Sequence, residues 1–181
     1  LFHATGSHAV YLASYRHQRK LVAMYKWDAT IAAQLIESEK ISSFIAPAAM
    51  TGDLVQEATR TQRDLSTLAS VGGGGAPRAP EQVRNIEKSF VNALPGTGWG
   101  MTETNPLGTL SRKVSKRSQS ALSEDRQFEN IAKAGLAMPG LEIEIFDEHW
   151  KALPHNGEAV GELCIRGPWI ASEYYNDPQP D

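Results

Sequence analysis

Residues Gly96–Asn105 read GTGWGMTETN, with glycines at alternate positions, one tryptophan and then Met-Thr-Glu-Thr. Alternating glycine lets a backbone approach a flat partner closely. Trp99 offers a π face suited to a purine, and the peptides of Thr97 and Gly98 can meet the polar edge of such a ring. Thr102 brings a hydroxyl for a phosphate oxygen. Glu103 brings a hard anionic oxygen suited to Mg²⁺, which favours carboxylates together with substrate phosphates. Any one of these residues also fits a tight turn with a core Trp and a solvated Glu; the set fits a nucleotide site better.

A second glycine cluster, SVGGGGAP (Ser70–Pro77), follows an apolar strand pattern. Alone it reads as a flexible strand-to-helix turn. At the C-terminal end of a parallel strand it lies where open α/β sheets bind ligands. Neither glycine cluster is a familiar phosphate loop. The dinucleotide pattern started at Gly72 meets Pro77 where it needs glycine, and started at Gly96 it meets Met101; no Gly-x-x-x-x-Gly-Lys-Ser/Thr occurs. The expectation is a backbone wall against a flat ligand.

These stretches need a scaffold, and the composition supplies one. The 181 residues are 41% hydrophobic with a net charge of −3, which suits a packed core and gives no general pull toward nucleic acid or an anionic membrane. The lone Cys164 rules out an internal disulfide framework and a multi-cysteine zinc site, and fits a reducing, cytoplasmic setting. No apolar run reaches the length of a membrane span. His8, His17, His149 and His155 have no metal-ligand spacing, and Cys164 on a strand pattern reads as structural.

The pattern predicts an α/β fold. A short helix is expected from about Gly6 to Tyr15, a buried strand at Leu21–Tyr25, and a helix capped by Asp28 with Ile31, Ala32, Leu35 and Ile36 inward. A strand at Ile41–Ala46 precedes a helix around Met50–Arg60. A further helix carries Pro80 in its first turn and Val83, Ile86 and Phe90 inward. Such alternation predicts a mostly parallel sheet over residues 1–110. Residues 111–134 are expected to form a polar loop or irregular helix, with Arg112, Lys113, Lys116 and Arg117 as a solvated basic run. Over 135–181, Leu141–Asp147 and Gly161–Gly167 alternate as antiparallel, barrel-like strands around a turn at His155-Asn156-Gly157.

GWGMTE, preceded by VGGGGAP and followed by GELCIRGPWIASEYYND, resembles the adenylate-forming superfamily of acyl- and aryl-CoA synthetases, luciferases and peptide-synthetase adenylation domains. LFHATG at the start looks like that family's Pro-Leu-Phe-His segment, and the likeness runs from Leu1 to about Asp177. Among branches it looks like an acyl-CoA synthetase. The resemblance implies a carboxylate attacking the α-phosphate of ATP, giving an acyl-adenylate and pyrophosphate, then transfer of the acyl group to the CoA thiol. It implies that Gly75, Ala76 and Pro77 with Thr97, Gly98, Trp99, Gly100 and Met101 line the adenine side, that Thr102 touches the α-phosphate and that Glu103 holds Mg²⁺. His3, with Gly73, Gly74 and Gly75, would line the acyl pocket. Lys26 falls where some CoA ligases place a basic residue near CoA phosphate, and a solvated lysine fits equally. Trp99 departs from the usual Tyr, keeping the stacking face and losing a hydroxyl.

By the same resemblance, the phosphate loop would lie upstream of this chain, and the ribose-binding aspartate and C-terminal domain downstream. The chain is therefore expected to be an internal piece, inactive alone, binding ATP weakly and self-associating through open strand edges. Two other readings stand beside the CoA synthetase: an adenylation module loading a carrier protein, and a non-catalytic binding module of the same fold.

Overall fold

The computed structural model describes residues 3–113 and 122–176. A π-helical segment, Thr5–Leu12, runs directly into the short helix α1 (Ala13–Arg16). Helix α2 (Ala29–Glu39) starts where the Asp28 side chain accepts a hydrogen bond from the Ile31 amide at 3.0 Å, and it ends at Lys40 in the left-handed region. β1 (Ser43–Ile45), α3 (Ala48–Arg60), β2 (Ser70–Gly73), α4 (Pro80–Ser89) and β3 (Leu94–Trp99) follow as the expected alternation. β1, β2 and β3 pair in parallel, Phe44 opposite Val71 and Gly72 opposite Gly96.

The sheet continues antiparallel through β4 (Thr109–Arg112) to β5 (Leu136–Ala137), giving the order β1-β2-β3-β4-β5. A separate antiparallel pair, β6 (Glu142–Phe146) and β7 (Glu162–Arg166), sets Ile143 opposite Ile165. The two strands form no closed barrel among the described residues. Gly157, at φ +80°, supports the turn between them.

The main core lies between the parallel strands and helices α2–α4. Ile36, Leu54, Leu68, Val71, Ile86 and Phe90 are almost fully buried there, with Phe44 and Trp27 packed against them at a ring separation of 5.7 Å. A smaller cluster joins Val83 of α4 to Phe128 and Ile131 of α5 (Glu124–Ala132).

Two expectations change. The apolar run Leu21–Tyr25 forms no strand: Met24 packs on the main core, Tyr25 is exposed, and no sheet partner is recorded for the run among the described residues. A short apolar run fits a core-covering connector as well as a buried strand. The polar stretch after residue 110 is also more ordered than expected, carrying the end of β4 and the whole of α5. Helix α5 begins with Ser123 as its N-cap, and its only buried residues are Phe128 and Ile131, one turn apart in a charged background. Lys116 and Arg117, from the basic run, lie outside the described residues.

Phe90 is 1% exposed at the end of α4. Phe90→Ala should therefore cost about 3–5 kcal/mol, the usual loss on truncating a buried aromatic side chain. Urea unfolding followed by circular dichroism measures it, and a loss below about 1 kcal/mol would mean that this end of the core repacks freely.

Candidate functional site

β3 is the floor of the site. Side chains alternate across a strand, so Thr97 turns to the helix-covered face, where it is 5% exposed and its hydroxyl has no partner among the described residues. Gly96 and Gly98 turn to the opposite face and line a cavity of about 690 Å³. The glycines 72–75, Leu110 and Arg112 of β4, and the π-helical segment enclose that cavity with them. His3, Trp99, Gly100, Met101, Thr102 and Glu103 all line it. The residues singled out in GTGWGMTE thus share one space, except Thr97, which does not line it.

The glycine cluster plays two different parts. A methyl group on Gly73 would lie 1.7 Å from the Ala46 carbonyl oxygen, and one on Gly74 would lie 2.2 Å from that of Gly98. At these two positions the missing side chain serves chain-to-chain approach. Gly75 differs: at φ +80° it holds a conformation that side chains disfavour, and a methyl there would meet no protein atom within 4 Å. The backbone wall facing the cavity exists, but its closest packing is against neighbouring strands. Ala76 and Pro77 are exposed and do not line the cavity, and neither does Lys26.

The Thr102–Thr104 segment forms a single 3-10 turn beyond β3. Thr104 is fully buried, and its hydroxyl accepts from the Met101 amide at 2.9 Å and donates to the Met101 carbonyl at 3.0 Å. From the other side, Asn105 donates to the Trp169 carbonyl at 2.7 Å, and the Ala171 amide donates to the Glu103 carbonyl at 2.8 Å. This fixes the backbone of the turn and leaves the Thr102 and Glu103 side chains unengaged. The Glu103 carboxylate is half-buried and makes no ion pair or hydrogen bond among the described residues. No group of three or more metal-ligating side chains occurs among those residues either. The donor set is a single free carboxylate, which fits Mg²⁺ bound mainly by phosphate and water. At the other wall, His3 Nδ1 accepts from the Thr5 amide at 3.2 Å, so a neutral ring carries its proton on Nε2.

Two residues that the sequence left unremarked or misassigned matter here. Arg78, 5% exposed, donates to the Gly96 carbonyl at 3.2 Å, the Ala46 carbonyl at 3.4 Å and the Thr51 hydroxyl at 3.0 Å. Its Nε has no partner among the described residues, and burial pushes its pKa down. Lys113, expected in a solvated run, instead grips both Glu87 oxygens at 2.7 and 3.0 Å, with both side chains largely buried. A buried Arg between carbonyls carries no local sequence signal. A Lys–Glu pair 26 positions apart carries none either.

The sequence of residues 1–175 matches the family model of AMP-binding enzymes. The chain belongs to that family. Among curated relatives, a 4-coumarate–CoA ligase of Pinus taeda is 29% identical over 180 residues, covering 99% of this chain and 32% of the relative. A long-chain-fatty-acid–CoA ligase of Thermus thermophilus is 26% identical over 181 residues, again covering 99% and 32%. The chain thus spans about a third of the length of these relatives. Among solved structures, the O-succinylbenzoate coenzyme A synthetase of Bacillus subtilis in complex with ATP and magnesium superposes with a TM-score of 0.78. That match has 20% identity and covers 98% of this chain and 33% of the other, which supports the fold.

The contrast between the neighbouring glycines gives a direct test. Gly75→Ala should cost only the left-handed strain, about 1–2 kcal/mol. Gly74→Ala should cost more, because β2 or β3 must shift to clear the Gly98 carbonyl. Urea midpoints of the two variants decide it; equal losses would mean that the approach at Gly74 is not constraining.

Proposed function

We propose that the protein containing this chain is an ATP-dependent acid–thiol ligase. A carboxylate attacks the α-phosphate of ATP, forming an acyl-adenylate and releasing pyrophosphate. The CoA thiol then attacks the acyl carbon and AMP leaves. One observation carries this reading: His3, the glycine segment, Trp99, Thr102 and the free Glu103 carboxylate line a single cavity at the end of a parallel strand.

In this reading Trp99 and the backbone of residues 97–100 contact adenine, with Gly75 beside them. The Thr102 hydroxyl donates to an α-phosphate oxygen, and Glu103 holds Mg²⁺. Bound magnesium would offset phosphate charge as pyrophosphate departs. Holding both reactants in line on a fixed turn lowers the entropic part of the barrier. The acyl group lies along the bare face of β3, bounded by His3, Gly73, Gly74 and the side chains of Leu107 and Leu110. Lys26, an exposed ammonium outside the cavity, is assigned to CoA phosphate on family likeness alone.

The lone thiol of Cys164 fits a cytoplasmic setting, and no helix among the described residues is long and apolar enough to cross a membrane. The edges at β1 and β5, unpaired among the described residues, suit self-association of the isolated piece.

Glu103→Gln in the full-length protein keeps the side chain's size and removes its charge. The adenylation rate should fall by on the order of 10²–10³, the effect of losing roughly 3–4 kcal/mol of transition-state electrostatics. Transfer from preformed acyl-adenylate to CoA should fall much less, because pyrophosphate takes no part in it. Pyrophosphate release and thioester formation, measured separately, check this; equal losses in both half-reactions would remove Glu103 from the metal-binding role.

A further inference from the structure

The cavity has a cationic end. β4 alternates as a strand must: Ser111 turns toward α5, donating to the Asn130 carbonyl at 2.8 Å, while Leu110 and Arg112 line the cavity on the other face. Arg112 pairs in register with Gly96, whose missing side chain opens the floor in front of it; a methyl there would lie 3.4 Å from the Arg112 Cβ. The neighbouring Lys113 is neutralised by Glu87. The Arg112 side chain makes no ion pair or hydrogen bond among the described residues, so its guanidinium brings a net positive charge to this end.

The opposite end is anionic. Trp99 pairs with Thr109, three rungs along β3 from the Gly96–Arg112 pair, and Thr102 and Glu103 follow directly after it. At about 3.3 Å per residue, the two rungs are roughly 10 Å apart. Between them the floor is the backbone of Gly96 and Gly98, and the wall is Leu107 and Leu110, with Leu107 Cδ1 only 2.8 Å from where a methyl on Gly98 would sit.

We propose that Arg112 is a specificity-determining residue, selecting elongated carboxylic acids that carry a second carboxylate at the end remote from the one activated. This rests on the ligase reading above. One carboxylate reacts beside Thr102 while the other pairs with the guanidinium across an apolar spacer. Arginine suits the task because its planar fork takes a carboxylate through two parallel hydrogen bonds. An acid ending in a methyl group would leave that cation unpaired.

The test uses the full-length protein and pairs of straight-chain acids of matched length, one ending in a methyl group and the other in a carboxylate. kcat/KM comes from pyrophosphate release. The wild type should prefer the diacid. Arg112→Leu should lower the diacid-to-monoacid ratio by on the order of 10- to 100-fold, the range of one charge-assisted contact. Arg112→Lys should keep part of the preference. Wild-type preference for the methyl-terminated acid, or an unchanged ratio in Arg112→Leu, would overturn the assignment and leave the ligase reading standing. Calorimetric titration of the diacid separates the two ideas. Binding to the wild type but not to Arg112→Leu, with no pyrophosphate released from any acid, would uphold the anion site and sink the ligase reading. Neither binding nor turnover would sink both.

Discussion

β3 is hydrogen-bonded on both sides and yet bears no side chain at Gly96 and Gly98 on its cavity face, and that combination governs the site. Because Gly96 and Gly98 leave the face bare, a ligand can lie against the sheet itself. Paired neighbours on each side make the floor rigid, so the opening costs little order. The Gly74 backbone can approach the Gly98 carbonyl only because Gly74 bears no methyl group, whereas a methyl on Gly98 would meet Leu107 Cδ1 at 2.8 Å. Missing side chains thus do two jobs, baring the floor at Gly96 and Gly98 and allowing the chain after β2 to close on β3 at Gly74. Burial compensates on the reverse face, where Pro95 and Thr97 lie under the helices.

A bare floor positions nothing by itself; the turn after it does. The Thr104 hydroxyl closes the turn from within, while the segment after β7 holds it from outside through Asn105 and Glu103 backbone contacts. Those bonds use the backbone of Glu103 and spare its carboxylate. A side chain held at its root and free at its tip suits a group that must meet a ligand in a fixed place. The second sheet is thereby coupled to the site, although its strands contribute no residue to the cavity wall.

The local patterns in the sequence were legible, and the register was not. GTGWGMTE stood out because glycine spacing, an aromatic ring, a hydroxyl and a carboxylate sit in one short run. α4 and the β6–β7 pair were readable from their periods, and Asp28 from its capping chemistry. Leu21–Tyr25 misled because a five-residue apolar run has no period long enough to separate strand from connector. β4 and α5 were masked by charge: α5 buries only Phe128 and Ile131, and the face that Arg112 presents depends on its pairing with Gly96. The sequence of the glycine cluster suggests a wall facing a ligand throughout. At Gly73 and Gly74 it is other backbone that comes close, and no local pattern distinguishes the two cases.

Arg78 shows why Gly73 in particular must be bare. Its guanidinium reaches from the Ala46 carbonyl after β1 to the Gly96 carbonyl in β3, spanning the strand that lies between them. A methyl group on Gly73 would lie 3.0 Å from Arg78 Nη2 as well as colliding with the Ala46 carbonyl. Burying a cation without a carboxylate is costly, and the lowered pKa reflects that desolvation. Three oxygen acceptors offset part of the cost and leave the charge itself unneutralised. The clamp thus ties together the strand ends that border the cavity while keeping a fixed positive charge behind its floor. Such a charge favours an anionic ligand in front of it, so the residue that holds the floor in place also biases what can rest on it.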